Sequence, residues 1–96
     1  MRLEWSALAI ADREEVFDYI AAENPAAAVK LDERISERVQ DLVQFPASGR
    51  MGRVAGTREL VIAGTPYIAA YRIVGNVVRV LRVLHGAQMW PGRLPE

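Results

Sequence analysis

Between Thr65 and Pro91 the chain reads TPYIAAYRIVGNVVRVLRVLHGAQMWP, a stretch with three arginines, Arg72, Arg79 and Arg82, and then the only histidine, His85. These residue types suit phosphate chemistry. Cleavage of RNA by internal attack needs a base for the 2′-hydroxyl proton, an acid for the leaving oxygen and cations around the charged phosphorane. His85 is the one side chain whose ordinary pKa lies near neutrality. Arg72, Arg79 and Arg58 could clamp a phosphate, and Arg50 and Arg53 in the loop upstream could hold more of an RNA strand. The same cations serve equally well to bind an anionic surface without any chemistry. For His85 the plainer reading, a hydrogen-bonded structural residue at a strand end, is preferred. Trp90 reads first as packing, with a hydrophobic anchor for a partner as the alternative. Glycines 49, 52 and 56 make no phosphate loop, because no Gly-Lys-Ser/Thr ending follows them. With no cysteine and one histidine, neither a disulfide nor a zinc site is expected, and no metal or cofactor is called for.

Those residues need elements to hold them. Arg2 to Ser6 alternates, with Leu3 and Trp5 opposite Arg2 and Glu4, and predicts a short strand. Ser6 can cap a following helix in which Ile10, Val16, Phe17 and Ile20 form the apolar stripe and Asp12, Glu14, Glu15 and Asp18 the polar side. Asn24-Pro25 ends that helix and starts another, because the residue before proline leaves the helical region and proline suits the first helical position. The second helix carries Ala28, Leu31, Ile35, Val39 and Leu42 at helical spacing and stops by Pro46. Two helices with almost no loop between them form an antiparallel hairpin. Pro46 to Gly56 reads as a loop, Thr57–Ala63, Tyr67–Val74 and Val77–His85 as strands, and Gly75-Asn76 as a two-residue hairpin turn. The expected fold is one α+β domain over residues 1–96, β-α-α-β-β-β, with the helical hairpin on one face of a small antiparallel sheet.

A two-residue turn sets the pairing: Val74 with Val77, Arg72 with Arg79, Ala70 with Leu81 and Ala69 with Arg82. One face then carries Ile68, Arg72, Val77, Arg79, Val83 and His85. The bulkier set, Tyr67, Ala69, Tyr71, Ile73, Val78, Val80, Arg82 and Leu84, turns to the helices. Directly opposed like charges destabilise a strand pair, so Arg72 beside Arg79 is a conflict that a bound phosphate or carboxylate would relieve.

A formal net charge of zero hides a division. Residues 1–48 hold ten acids and five bases, while residues 49–96 hold seven arginines against Glu59 and Glu96. The basic half can attract nucleic acid or an acidic protein, unless the two halves neutralise each other across the fold. No apolar run is long enough for a membrane span, and MRLEW lacks the apolar segment of a signal peptide, so a cytoplasmic protein is the default expectation.

Taken in order, the LEWS opening strand, the PAAA start of helix two, FPASGRMGRVAGTREL, PYIAAYRI and VLRVLHGAQMWP cover nearly the whole chain. The set resembles the RelE/ParE superfamily of toxins from bacterial type II toxin–antitoxin systems, and the ParE-like branch fits best. The resemblance implies a toxin held inactive by a cognate antitoxin whose disordered C-terminal segment wraps it. It also implies one of two targets: mRNA in the ribosome for RelE-like ribonucleases, or DNA gyrase for ParE-like inhibitors that have no active site of their own. The nuclease pattern is incomplete here. The single lysine, Lys30, lies on helix two; Ile68 or a neighbour stands where nuclease members carry an arginine; and Gly86-Ala87 follows His85 where they place a catalytic tyrosine. The resemblance therefore points to a binding protein that inhibits gyrase, making contact through Arg50, Arg53, Arg58, Arg72, Arg79 and Trp90. The alternatives are a ribosome-dependent endoribonuclease using His85, Arg72 and Arg79, and a domain that binds its antitoxin with little toxicity left.

Overall fold

Ser6 begins the fold by doing two things at once. Its Oγ accepts from the Ala9 N–H at 3.0 Å, capping a helix, and donates to the Leu81 carbonyl at 2.7 Å, which ties the chain's beginning to its last strand. In the structure, a computed structural model that describes residues 1–95, β1 (Arg2–Trp5) leads into α1 (Ala7–Ala21) and α2 (Pro25–Gln40). Asn24 caps α2 through the Ala27 N–H, with proline in its first turn as expected. A 3₁₀ turn, Asp41–Val43, follows before Pro46. Then come β2 (Arg50–Met51), β3 (Arg58–Val61), β4 (Tyr67–Val74) and β5 (Val77–His85). Glu96, counted above among the charges, lies outside the described residues.

The two helices pack on one face of a five-stranded sheet ordered β1-β5-β4-β3-β2. The α+β reading holds, with two differences. Arg50–Met51, expected as loop, pairs with Arg58 and Glu59 as a two-residue edge strand, too short and too polar to show as alternation. The sheet is mixed rather than wholly antiparallel, because β1 runs parallel to β5. Between α1 and α2, Arg13 holds Asp32 through two hydrogen bonds of 2.9 and 3.0 Å and stacks over Trp5 at 4.7 Å.

Ala28, Ile35, Val39 and Leu42 are buried as the spacing of α2 predicts, against Ala69, Tyr71, Val78, Val80 and Val83 of the sheet. In α1 Val16, Phe17 and Ile20 of the expected stripe are partly buried, but its centre lies elsewhere. Its buried residues are Ala9 and Asp12, and Ile10 is exposed. Asp12 is inside because the sheet supplies its partners. Arg82 donates to it twice, at 2.7 and 2.9 Å, and the Val83 N–H donates at 2.9 Å. A carboxylate with three charge-assisted or backbone donors is stable where an unpaired one would not be.

Gly75, at φ +57°, occupies the first central position of the hairpin turn, a left-handed conformation that glycine takes without strain. Val74 faces Val77 and Arg72 faces Arg79, as the turn requires. Further along, a β-bulge at Leu81 changes the register, so Ala70 faces Arg82, Ala69 faces Val83 and Tyr67 faces His85. One extra residue swaps every later side chain to the other face. Val83 and His85, expected on the outer face with Arg72 and Arg79, fall on the helix side. Leu84 moves to the outer face opposite Ile68, while Arg82, beside the bulge, still turns to the helices and reaches Asp12 of α1, as expected. Among the described residues no helix is long and apolar enough to cross a membrane.

Candidate interaction surface

The bulge decides which candidate residues can act together. On the outer face, away from the helices, Arg72 and Arg79 stand side by side across β4 and β5, near the hairpin turn. Val74, Val77 and the Glu4 side chain of β1 complete a cleft of about 460 Å³ around them. Arg79 donates to Glu4 at 3.1 Å. The Arg72 guanidinium lies under the β2–β3 loop, so close that a Cβ at Gly56 would come within 3.0 Å of its Nη1. The Arg72 Nε is buried without a hydrogen-bond partner.

Farther across the same face, Glu59 pairs in register with both Arg50 and Ala70 and is 3% exposed. Arg50 reaches its carboxylate at 3.0 Å, while Arg53 binds it through the backbone N–H at 2.8 Å and through Nε at 3.1 Å. Burial alone would raise the Glu59 pKa. The Arg53 backbone N–H and the Arg53 and Arg50 side chains outweigh that effect and hold it below the ordinary carboxylate value. The Arg53 guanidinium also lies 3.8 Å from the centre of the Trp90 ring, a cation–π contact that ties the C-terminal segment to the loop. Leu94 then packs on Ala70 and Leu81, with Val54 and Trp90 beside it. The packing reading of Trp90 is the one seen: it packs on the loop, on the face that carries the loop arginines.

Two candidates stand apart. Arg58 pairs with Tyr71 on the helix side and donates to the Ala47 and Gly49 carbonyls at 3.3 and 2.9 Å, where Tyr71 also bridges Gly49 and Pro46. Its work is to hold the chain into β2. His85 sits in a different cleft, with Tyr67, Tyr19, Glu15 and Arg82. Its Nδ1 accepts from the Ala87 N–H at 3.1 Å, and its ring meets Tyr67 edge-on at 5.6 Å. The sheet separates His85 from Arg72 and Arg79, so the histidine and the two cations do not converge on one phosphate. Nearby, burial and the proximity of Tyr19 raise the Tyr67 pKa, while burial outweighs the Gly49 and Arg58 contacts to raise that of Tyr71.

The neutralisation of one half by the other, open from the charge division, is met in part, though the sequence singles out no acid for it. Glu4, Asp12 and Glu59 each meet an arginine of the basic half, so much of the charge division is answered inside the molecule. Glu59 carried a signal, as the lone acid among Arg50, Arg53 and Arg58 in a short span. Asp12 carried none, since its partner lies 70 residues away.

A family model described as the ParE toxin of the type II toxin–antitoxin system parDE matches residues 3–90. The Sinorhizobium fredii protein Y4kP is 43% identical over 90 residues, covering 94% of this chain and 93% of its own length. Toxin RelE2 of Caulobacter vibrioides is 32% identical over 85 residues, covering 88% of this chain and 94% of its own. Among solved structures, a chain of the chromosomal ParDE toxin–antitoxin system from P. aeruginosa superposes with a TM-score of 0.80 at 31% identity, over 86% of this chain and 92% of that one.

Proposed function

The chain belongs to the ParE toxin family of type II toxin–antitoxin systems, and on that footing we propose that it is a cytoplasmic toxin that binds and inhibits DNA gyrase. As a toxin of this type it has a cognate antitoxin partner. One observation carries the choice of target: Arg50, Arg53, Arg72, Arg79 and Trp90 share the outer face of the sheet, while His85 lies on the other side of it. A ribonuclease of the kind the sequence allowed needs its proton-transfer group within hydrogen-bond reach of the phosphate its cations hold. A binding protein needs only a contiguous face with an aromatic anchor and charges that select the partner. The outer face has that character, with the Trp90–Arg53 contact at one end and the Arg72–Arg79 pair at the other.

The test is a supercoiling assay with purified gyrase and the isolated toxin. We expect loss of supercoiling, accumulation of cleaved DNA and, on expression in cells, induction of the DNA-damage response. If supercoiling proceeds unchanged and transcripts instead appear cut at codon-related positions, with His85→Ala abolishing the cuts, the gyrase reading is wrong.

A further inference from the structure

Arg72 is a cation whose surroundings ask for a group that the chain does not supply. It is half-buried, its Nε is shut off from solvent with no partner, and among the described residues no acceptor reaches it. A buried guanidinium N–H left without an acceptor is costly to keep. The cleft beside it offers the aliphatic side chains of Val74 and Val77, and Val74 is 53% exposed.

We propose that Arg72 is the receptor for a single carboxylate, carried on an extended peptide segment with aliphatic residues on either side of the acid. This rests on the toxin–antitoxin reading, in which such a segment belongs to the antitoxin. Charge complementarity selects a peptide over a nucleic acid. A duplex presents one phosphate about every 1.7 Å of its axis and calls for an array of open cations. Here Arg50 and Arg53 are already joined to Glu59, Arg82 to Asp12, and Arg79 to Glu4. The Glu4 carboxylate at the rim repels a second phosphate, and Val74 and Val77 have no role toward a sugar–phosphate chain. One acid between aliphatic side chains engages Arg72 and both valines and leaves the Arg79–Glu4 pair in place. The carboxylate pairs with the part of the Arg72 guanidinium that lines the cleft, and the flanking side chains cover the valines.

The test is NMR titration of the ¹⁵N-labelled full chain, following the Arg72 Nε–H resonance, which is assigned by its absence in Arg72→Lys. The probes are acetyl-Leu-Glu-Leu-amide, its glutamine twin and a short DNA duplex. The glutamate peptide is expected to shift the resonance saturably, with the glutamine twin at least about tenfold weaker, the scale of one charge-assisted hydrogen bond. Arg72→Gln is expected to reduce the glutamate peptide to the affinity of its twin. Equal affinity for the two peptides, an unmoved Nε–H, or a stronger response to the duplex would each overturn the proposal. The wild-type peptide pair needs no variant to fold. The supercoiling assay uses no peptide, so failure of the gyrase reading and failure of this one are read separately.

Discussion

Arg72 and Arg82 lie on neighbouring strands of one hairpin and have opposite fates. At its helix-proximal end, Arg82 meets Asp12 through two hydrogen bonds, and the same carboxylate takes the Val83 N–H. The Asp12 hydrogen bonds raise the Arg82 pKa against the effect of burial. At the turn end, Arg72 is half-buried with an idle Nε. The difference is not in the arginines but in what faces them. Beyond Val80, β5 has no pairing with β1 and α1 closes over it, whereas the turn end has only Glu4, which Arg79 engages. An arginine met from within becomes part of the scaffold, and one left unmet becomes a place for another molecule.

Removing the answered pair is the strongest way to break that contrast. Asp12→Ala would leave Arg82 and the Val83 N–H without acceptors, and a loss of about 3 kcal/mol or more is expected, a large share of the stability of a small domain. Thermal unfolding checks it, and a melting temperature within a degree or two of wild type would show that the scaffold does not rest on this pair. Glu59→Gln is the next perturbation, at about 1–3 kcal/mol, because the acid is buried while its arginine partners are half in solvent. The Glu59 pKa is lowered in the fold from 4.5, so its contribution is present above that pH and lost as pH falls through the lowered value. Acid titration of wild type and Glu59→Gln should therefore converge at low pH, and parallel curves would assign the acid sensitivity elsewhere. The smallest effect has the opposite sign. Arg72→Met replaces an unpartnered cation with an apolar side chain and should raise stability by up to about 1 kcal/mol in the free protein. A destabilised Arg72→Met, read by urea unfolding, would mean that the guanidinium is a structural part after all.

Much of this architecture was legible in local signals. Asn24-Pro25 marked the helix boundary, the spacing in α2 marked its buried face, and Gly75-Asn76 fixed the register near the turn, including Arg72 against Arg79. Errors arose where a distant residue decided the outcome. The bulge at Leu81 has no local mark, since its carbonyl is taken by Ser6, 75 positions earlier, and missing it put His85 on the wrong face. Asp12 looked like surface because its partners could not be seen from its own helix. The arginines of the outer face are legible in the sequence, but which of them are occupied depends on Glu4 and Glu59, whose positions only the fold supplies.

The parallel pairing of β1 with β5, reinforced by Ser6 on Leu81 (75 positions apart) and Asp12 on Arg82 (70 positions apart), joins residues far apart in the sequence. Contacts so far apart in sequence form late. A nascent chain on the ribosome therefore has no complete sheet until the final strand has emerged. A chain cut before Val77 lacks the strand on which both β1 and β4 pair, so it is expected to be protease-sensitive.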